Sequence, residues 1–230
     1  MALALLAGAT VQALVGLGLG LVAAPVVTLV APELMPELML WLAFAYPVVT
    51  LLVERDDIDW RGLGWSLPTR VLGTGLGVAA VAAFTTRQLG IAVAVMVLLA
   101  VVVTWRAVEV PITPATLMTA GLVSGVTGTA TSIGGPPVAV LYQHRPPREI
   151  RTTLAVFFMV GAGLSLGGLA LAGQLDGHQA LVALLLAPVL PLGALLGHAL
   201  RRWLPAAHVR PAVLLVCASS ALVLLVRSLA

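Results

Sequence analysis

The chain has 230 residues, of which 60% are hydrophobic and only 9% are charged, whereas a soluble domain carries about a quarter charged residues. Apolar runs long enough to cross a bilayer recur from end to end, so the sequence predicts an all-α polytopic membrane protein with one transmembrane domain and no separate soluble domain. The net charge of +3 comes from arginines near the ends of apolar runs, which does not indicate a nucleic-acid partner.

Eight hydrophobic elements are predicted along the chain. Their bounds are Leu3–Ala31, Pro36–Val53, Leu67–Thr85, Leu89–Trp105, Pro114–Gln143, Thr152–Ala172, Gln179–Leu200 and Val209–Val226. Elements one and five are unusual, because each runs to about 30 residues and carries glycines near its middle and proline later. Glycine relaxes the backbone and proline removes a hydrogen-bond donor. We therefore predict that both elements are broken or re-entrant, although full spans stay open.

The two unusual elements align with each other at an offset of 112 residues. The alignment pairs Gln12 with Ser124, Gly16 with Gly128 and Pro25 with Pro137. Three ordinary elements follow each of them along the chain. The pattern predicts two repeats of four elements, over residues 1–108 and 110–230.

Arginine clusters indicate how these repeats are oriented. They lie between elements two and three, five and six, and seven and eight, and comprise Arg55, Arg61 and Arg70; Arg145, Arg148 and Arg151; and Arg201, Arg202 and Arg210. Short cytoplasmic loops carry the excess of positive charge. Eight simple spans cannot place all three clusters on one side, whereas a hairpin at element five can. The repeats are then inverted, as in many transporters.

The stretch from Gly121 to Pro137 is built to interrupt a helix at membrane depth. Lipid tolerates broken backbone only where it is buried in protein or lines a cavity, and paired broken helices indicate a transporter site. A half-helix that begins there can bind an anion at its N-terminus. The predicted substrate-binding residues are Gln12, Gly16, Gly18, Gly20, Pro25, Ser124, Gly128, Thr129, Thr131, Ser132, Gly134, Gly135, Pro136 and Pro137. For any one of them, close helix packing is the alternative.

Acidic residues are absent from the centres of the predicted elements. Cation transporters and proton relays usually keep acids inside the membrane, so the substrate is expected to be anionic or neutral. Protons are a candidate coupling ion without an assigned carrier. Cys217 is the single cysteine, and neither a metal nor another cofactor is expected.

The pattern Ala120-Gly-Leu-Val-Ser-Gly-Val-Thr-Gly, followed by Ile133-Gly-Gly-Pro-Pro, resembles the TauE/SafE family of sulfite exporters. The segment from Gly16 to Pro25 looks like that family's N-terminal motif, and the resemblance extends over nearly the whole chain. It implies a secondary transporter of the cytoplasmic membrane that exports sulfite, organosulfonates or related sulfur-containing anions. We expect alternating access, with the two hairpin tips meeting near the midplane.

Two other classes were weighed against a transporter. A non-transporting membrane subunit or assembly factor stays open, because a fold does not fix a function. An intramembrane serine hydrolase is less favoured, because Gly121 stands one position too early before Ser124 for the motif of those enzymes. We therefore predict a protein that is not an enzyme, with a small anion and the bilayer as partners; a homo-oligomer stays open.

Overall fold

The computed structural model describes residues 1–105, 110–200, 203 and 206–229. Within those ranges the chain is almost entirely helical and contains no strand, which confirms the all-α prediction. The helices are α1 Ala2–Val15, α2 Leu19–Val30, α3 Glu37–Val53, α4 Trp60–Ala83, α5 Thr86–Trp105, α6 Pro114–Thr131, α7 Gly135–Tyr142, α8 Pro147–Leu171, α9 Gly177–Leu186, α10 Val189–Leu200 and α11 Ala206–Leu229. The repeat boundary at Val108 and two clustered arginines, Arg201 and Arg202, lie outside the described residues.

Four helical segments of the described chain are long and apolar enough to cross a membrane. They are Trp60–Ala83, Thr86–Val103, Pro147–Leu171 and Gly177–Leu200, the last comprising α9 and α10. Further apolar helices of shorter length accompany them. The chain is therefore a multi-pass membrane protein.

The first predicted element consists of two helices, α1 and α2, which form the first hairpin. Gly16 ends α1 with φ of 83°, in the left-handed region that favours glycine. Beyond the break, Gly18 packs on Gln12 and Leu19 packs on Gly8. From Gly18 to Leu19 the contacted residue of α1 changes from Gln12 to Gly8, toward the start of α1. The chain therefore reverses direction, and α2 begins alongside α1.

The fifth predicted element is likewise divided, into α6 and α7, which form the second hairpin. Ser132 ends α6 with φ of 60°, and Gly134 then packs against Ser124 and Gly128. Pro136 and Pro137 lie in the first turn of α7, where a missing N–H is tolerated. Glycines and prolines thus break both long elements.

Helix α4 begins earlier than predicted, at Trp60 and not at Leu67. The Asp59 carboxylate accepts a hydrogen bond of 2.9 Å from the N–H of Gly62, and such a cap starts a helix before its sequence becomes strongly apolar. The assignment of Arg70 to the cluster between elements two and three is therefore wrong. Ten residues of helix, about 15 Å, separate it from Trp60, which puts Arg70 near the middle of a bilayer core about 30 Å thick.

Ion pairs join the loop after α3 to the start of α8. Arg151 forms a two-bond pair with Glu54 at 2.8 and 3.0 Å, and Arg148 pairs with Asp56. We call this face, where Arg61 also lies at the start of α4, the arginine end. At the opposite end, the Asp176 N–H before α9 donates to the carboxylate of Glu37 at the start of α3.

Glycines bring pairs of helices into close contact. A methyl group at Gly73 of α4 would overlap the Leu122 carbonyl of α6, and one at Gly121 would overlap the Ser66 carbonyl. On the other side of the protein, Gly193 of α10 packs in the same manner against Ala9 of α1. Small residues permit this close approach of membrane helices, and the approach positions both hairpins.

Candidate functional site

A small cavity of about 40 Å³ lies between the tips of the two hairpins; we call it the central cavity. The predicted site residues that line it are Gln12, Gly20, Gly128, Ser132, Gly134 and Gly135. Apolar side chains complete the wall, among them Leu17, Ile133 and Phe158. The structure thus brings six of the predicted residues, from both halves of the chain, to one place.

Arg70 also lines the central cavity, and it is the only charged residue among the described residues that do so. Its side chain is buried, with 3% of the residue exposed. Nη1 donates a hydrogen bond of 2.8 Å to the Ser124 hydroxyl, and the guanidinium lies 4.4 Å from the centre of the Phe157 ring, a favourable cation–π distance. Nε is buried with no acceptor in the described part of the chain.

Two glycines make room for the Arg70 guanidinium. A methyl group at Gly161 of α8 would overlap its Nε and central carbon, and one at Gly128 of α6 would lie 3.1 Å from Nη2. The guanidinium therefore occupies space that any larger residue at Gly161 would fill. α8 contributes Gly161 and Phe157 from successive turns of one face.

Ser124 connects Arg70 to the second hairpin. Its hydroxyl accepts the bond from Arg70 and donates to the carbonyl of Gly134, just before α7 begins. The Ser124 residue is fully buried. A single hydroxyl thereby holds the cation of α4 beside the tip of the second hairpin.

The Gln12 side chain is the hydrogen-bond acceptor for a backbone N–H group at the tip of the first hairpin. Its Oε1 accepts a hydrogen bond of 2.9 Å from the N–H of Leu19, one of the first N–H groups of α2, which have no partner within the helix. Among the described residues, no side chain accepts a hydrogen bond from the N–H of Gly134 or Gly135 at the start of α7 in the second hairpin. The two tips therefore differ. At the first, the Gln12 amide of the same hairpin bonds the start of α2, whereas the second lies beside the Arg70 guanidinium of α4.

The remaining predicted site residues lie outside the lining of the central cavity. Thr129 bonds Ser165 of α8 at 2.7 Å, and Thr131 bonds the carbonyl of Thr127 in its own helix. Gly16 packs against Ile150 and Arg151 at the arginine end. Gly18 packs on α1, Pro25 lies inside α2, and Pro136 and Pro137 line an apolar groove beside α5.

A second cavity of about 410 Å³ reaches from the arginine end toward the first hairpin; we call it the end cavity. Its wall includes the Glu54–Arg151 ion pair and His198. Gln12 lines both this cavity and the central cavity. Its side chain therefore stands between the two spaces.

Sequence reasoning missed Arg70 because the residue was counted with the loop arginines. A usable signal was present in Asp59, since aspartate is one of the residues preferred at a helix N-cap, where it accepts from an N–H of the first turn, here that of Gly62. Starting α4 there puts Arg70 three turns inside the helix. A charged residue at that depth is a functional-site candidate by itself.

The protein-family model of the sulfite exporter TauE/SafE family matches residues 1–224 of the chain. No curated protein and no solved structure matches it. Because the match covers nearly the whole sequence, the chain belongs to the sulfite exporter TauE/SafE family. That membership agrees with the apolar helices and with the resemblance noted in the glycine- and proline-rich segments.

Proposed function

We propose that this TauE/SafE family member is a secondary transporter of the cytoplasmic membrane, which moves a small sulfur-containing anion by alternating access. Sulfite or an organosulfonate is the expected cargo, and export is the expected direction. The observation that carries the proposal is Arg70: a buried guanidinium that faces a cavity between two broken helices and has no acidic partner among the described residues.

The energetics of Arg70 favour an anionic ligand. An isolated charge in a low-dielectric interior is strongly unfavourable unless it is paired. In the described structure, Ser124 is the hydrogen-bond acceptor of this guanidinium, although guanidinium has five N–H donors arranged as a planar fork. Oxyanions match that fork with two parallel bonds. A bound oxyanion would supply both the missing charge and the missing acceptors.

The second hairpin adds to this attraction. α7 begins beside the central cavity at Gly134 and Gly135, and the N-terminus of a helix carries a partial positive charge. Pro136 and Pro137 have no N–H, so the backbone donor of the first three residues of α7 is the N–H of Gly135. Arg70 and α7 therefore attract the same kind of ion from two directions.

Many secondary transporters are built from two related halves of opposite orientation, and we infer that the chain contains such inverted repeats. Gly16 and Ser132 both end a helix in the left-handed conformation, and Leu19 and Gly135 both begin the next one. Each pair is separated by 116 residues. This register differs by four residues, about one helical turn, from the sequence alignment at 112.

Helix packing supports the same register. Gly73 of α4 lies against Leu122 and Gly125 of α6, whereas Gly193 of α10 lies against Leu6 and Ala9 of α1. The contacted residues again differ by 116, from Leu6 to Leu122 and from Ala9 to Gly125. The second membrane segment after each hairpin, α4 in the first half and α9 with α10 in the second, thus packs on the hairpin of the other half.

The direction of the hairpins supports inversion. The second hairpin returns to the arginine end, where Tyr142 at the end of α7 donates to Asp59 at 2.7 Å. The first hairpin returns to the opposite end, where α2 is followed by Glu33, whose carbonyl accepts from Gln179 near the start of α9. By the positive-inside rule the arginine end is cytoplasmic. The first hairpin then enters from outside the cell and the second from inside.

The described conformation corresponds to a state of the transport cycle in which the central cavity is approached from the arginine end. The end cavity approaches the central cavity there and is separated from it by Gln12. Toward the opposite end, Ser132 donates to the carbonyl of Pro36 at 2.8 Å, which ties the second hairpin to the start of α3. Alternating access would release this bond and close the end cavity.

Flux into proteoliposomes tests the proposal. We expect purified protein to accelerate the movement of sulfite or sulfoacetate, and Arg70→Met protein to leave both at the rate of empty vesicles. Running the assay with and without a pH gradient reports proton coupling. Folded wild-type protein that moves neither anion would contradict the proposal and favour a non-transporting subunit.

A further inference from the structure

We propose that the central cavity accepts an oxyanion with a single negative charge, so that sulfite binds and crosses as its protonated monoanion, hydrogensulfite, whereas sulfoacetate, which carries two negative charges at neutral pH, is excluded. This inference rests on the proposed function and specifies which ionic form of the substrate that site takes. It follows from the number of charges around the cavity and from the cavity's small, dry interior.

The charge count favours a monoanion. Arg70 supplies one full positive charge, and the polar side chains Gln12 and Ser132 that share the wall with it are neutral. The N-terminus of α7 adds a partial charge of at most about 0.5. A monoanion would be neutralised in full, whereas a dianion would keep a negative charge that no described residue offsets.

Desolvation strengthens the preference. The Born cost of moving an ion into a medium of low dielectric constant grows with the square of its charge, so it is about four times larger for a dianion than for a monoanion of the same size. The cavity measures about 40 Å³ and has Leu17, Ile133 and Phe158 in its wall. The bound ion therefore keeps little of its hydration shell.

Binding of the monoanion also gives a route for protons. Hydrogensulfite releases its proton near neutral pH to give sulfite, so a site that takes only hydrogensulfite moves one proton with each sulfur atom. No bond to the protein is made or broken. No Asp or Glu among the described residues lines the central cavity, and none is needed if the proton travels on the substrate.

The titratable groups nearest along the route lie in the end cavity. They are Glu54 and Arg151, which pair with each other, and His198. On α4, α6, α7 and α8, Arg70 is the one charged residue that faces the central cavity within the described chain. A probe whose charge does not change with pH therefore separates the titration of the substrate from any titration of the protein.

Calorimetric binding to purified full-length protein provides the test, at several values between about pH 6 and about pH 9. Chlorate has the pyramidal three-oxygen shape of sulfite but remains a monoanion throughout, and sulfate remains a dianion. We expect chlorate to bind with a constant Kd and sulfate not to bind. The apparent Kd for total sulfite should rise about tenfold per pH unit once sulfite predominates, because only the hydrogensulfite fraction competes.

Two variants test whether chlorate binding depends on the Arg70 guanidinium. Arg70→Met should abolish chlorate binding, and Gly161→Ala, which displaces the guanidinium without removing its charge, should weaken it. Sulfite affinity that stays constant with pH, or sulfate that binds as tightly as chlorate, would overturn the monoanion inference and leave the transporter proposal standing. No binding of any of the three anions at any pH would overturn the monoanion inference, and the absence of both sulfite and sulfoacetate flux as well would overturn the proposed function.

Discussion

Nη1 of Arg70 lies 2.8 Å from the hydroxyl oxygen of Ser124, and the same hydroxyl donates to the carbonyl of Gly134. One hydrogen-bonded chain thus runs from a cation in the middle of α4 to the tip of the second hairpin. Ser124 holds the guanidinium in the wall of the central cavity and fixes the tip beside it.

Replacing Ser124 with alanine should weaken anion binding. Arg70 loses its hydrogen-bond acceptor and the Gly134 carbonyl loses its donor. A hydrogen bond to a charged group contributes about 1.5–3 kcal/mol, so the Kd for sulfite should rise by about tenfold or more. Isothermal calorimetry measures this change. Thr127→Ala is the matched control, because the Thr127 hydroxyl bonds its own helix; an equal loss in both variants would contradict a specific role for Ser124.

Gly161→Ala should reduce anion binding although it adds only one methyl group. That methyl overlaps the Arg70 guanidinium, so the cation must move away from Ser124 and the cavity. Gly167→Ala on the same helix meets no atom within 4 Å and should bind as wild type does. Calorimetric titration with sulfite gives the Kd of each variant for comparison with wild type. Normal affinity in Gly161→Ala protein would show that the position of the guanidinium is unimportant.

Gly16→Ala should destabilise the first hairpin. Gly16 has φ of 83°, a conformation that costs an L-residue about 1–2 kcal/mol, and its added methyl would also lie 3.4 Å from Ile150 and Arg151. Thermal unfolding in detergent should show a lower Tm. Gly64→Ala, in the helical α4 with no neighbour within 4 Å, should keep or raise the Tm. A Tm for Gly16→Ala equal to that of Gly64→Ala would contradict the left-handed turn.

Cysteine labelling should place the two arginine-rich loops on one side of the membrane. With buried Cys217 replaced by alanine, single cysteines at Arg61 and Arg148 should react with an impermeant maleimide from the same face. A cysteine at His178, exposed in the first turn of α9, should react from the other face. Labelling of the Arg61 and Arg148 positions from opposite faces would rule out a returning second hairpin.

The sequence predicted the helix breaks well, because Gly16-Leu-Gly18 and Gly134-Gly-Pro-Pro137 strongly disfavour continuous helix. The register that we propose between the halves differs by one turn from the sequence alignment, which matched Pro25 with Pro137. In the structure these prolines have different surroundings: Pro25 lies inside α2, whereas Pro137 lies in the first turn of α7. A residue match cannot reveal that difference.

The position of Arg70 depended on where α4 begins. Hydropathy places the start of the apolar run near Leu67, but the cap at Asp59 starts the helix at Trp60. That shift moves Arg70 from the first turn of the predicted element, next to the loop arginines, to the third turn of the helix, where it is buried. Its pairing with Ser124, 54 positions away, is a tertiary contact that no local pattern in the sequence encodes.

The central claim is that Arg70 binds the anion, and sulfite binding to Arg70→Met protein tests it most directly. Burial of a charge without a counter-charge is unfavourable, so its replacement by an apolar residue of similar length removes that cost. We therefore expect the variant to unfold at the same temperature as wild type or higher, while calorimetry detects no sulfite binding. Wild-type affinity in a folded Arg70→Met protein would contradict the account.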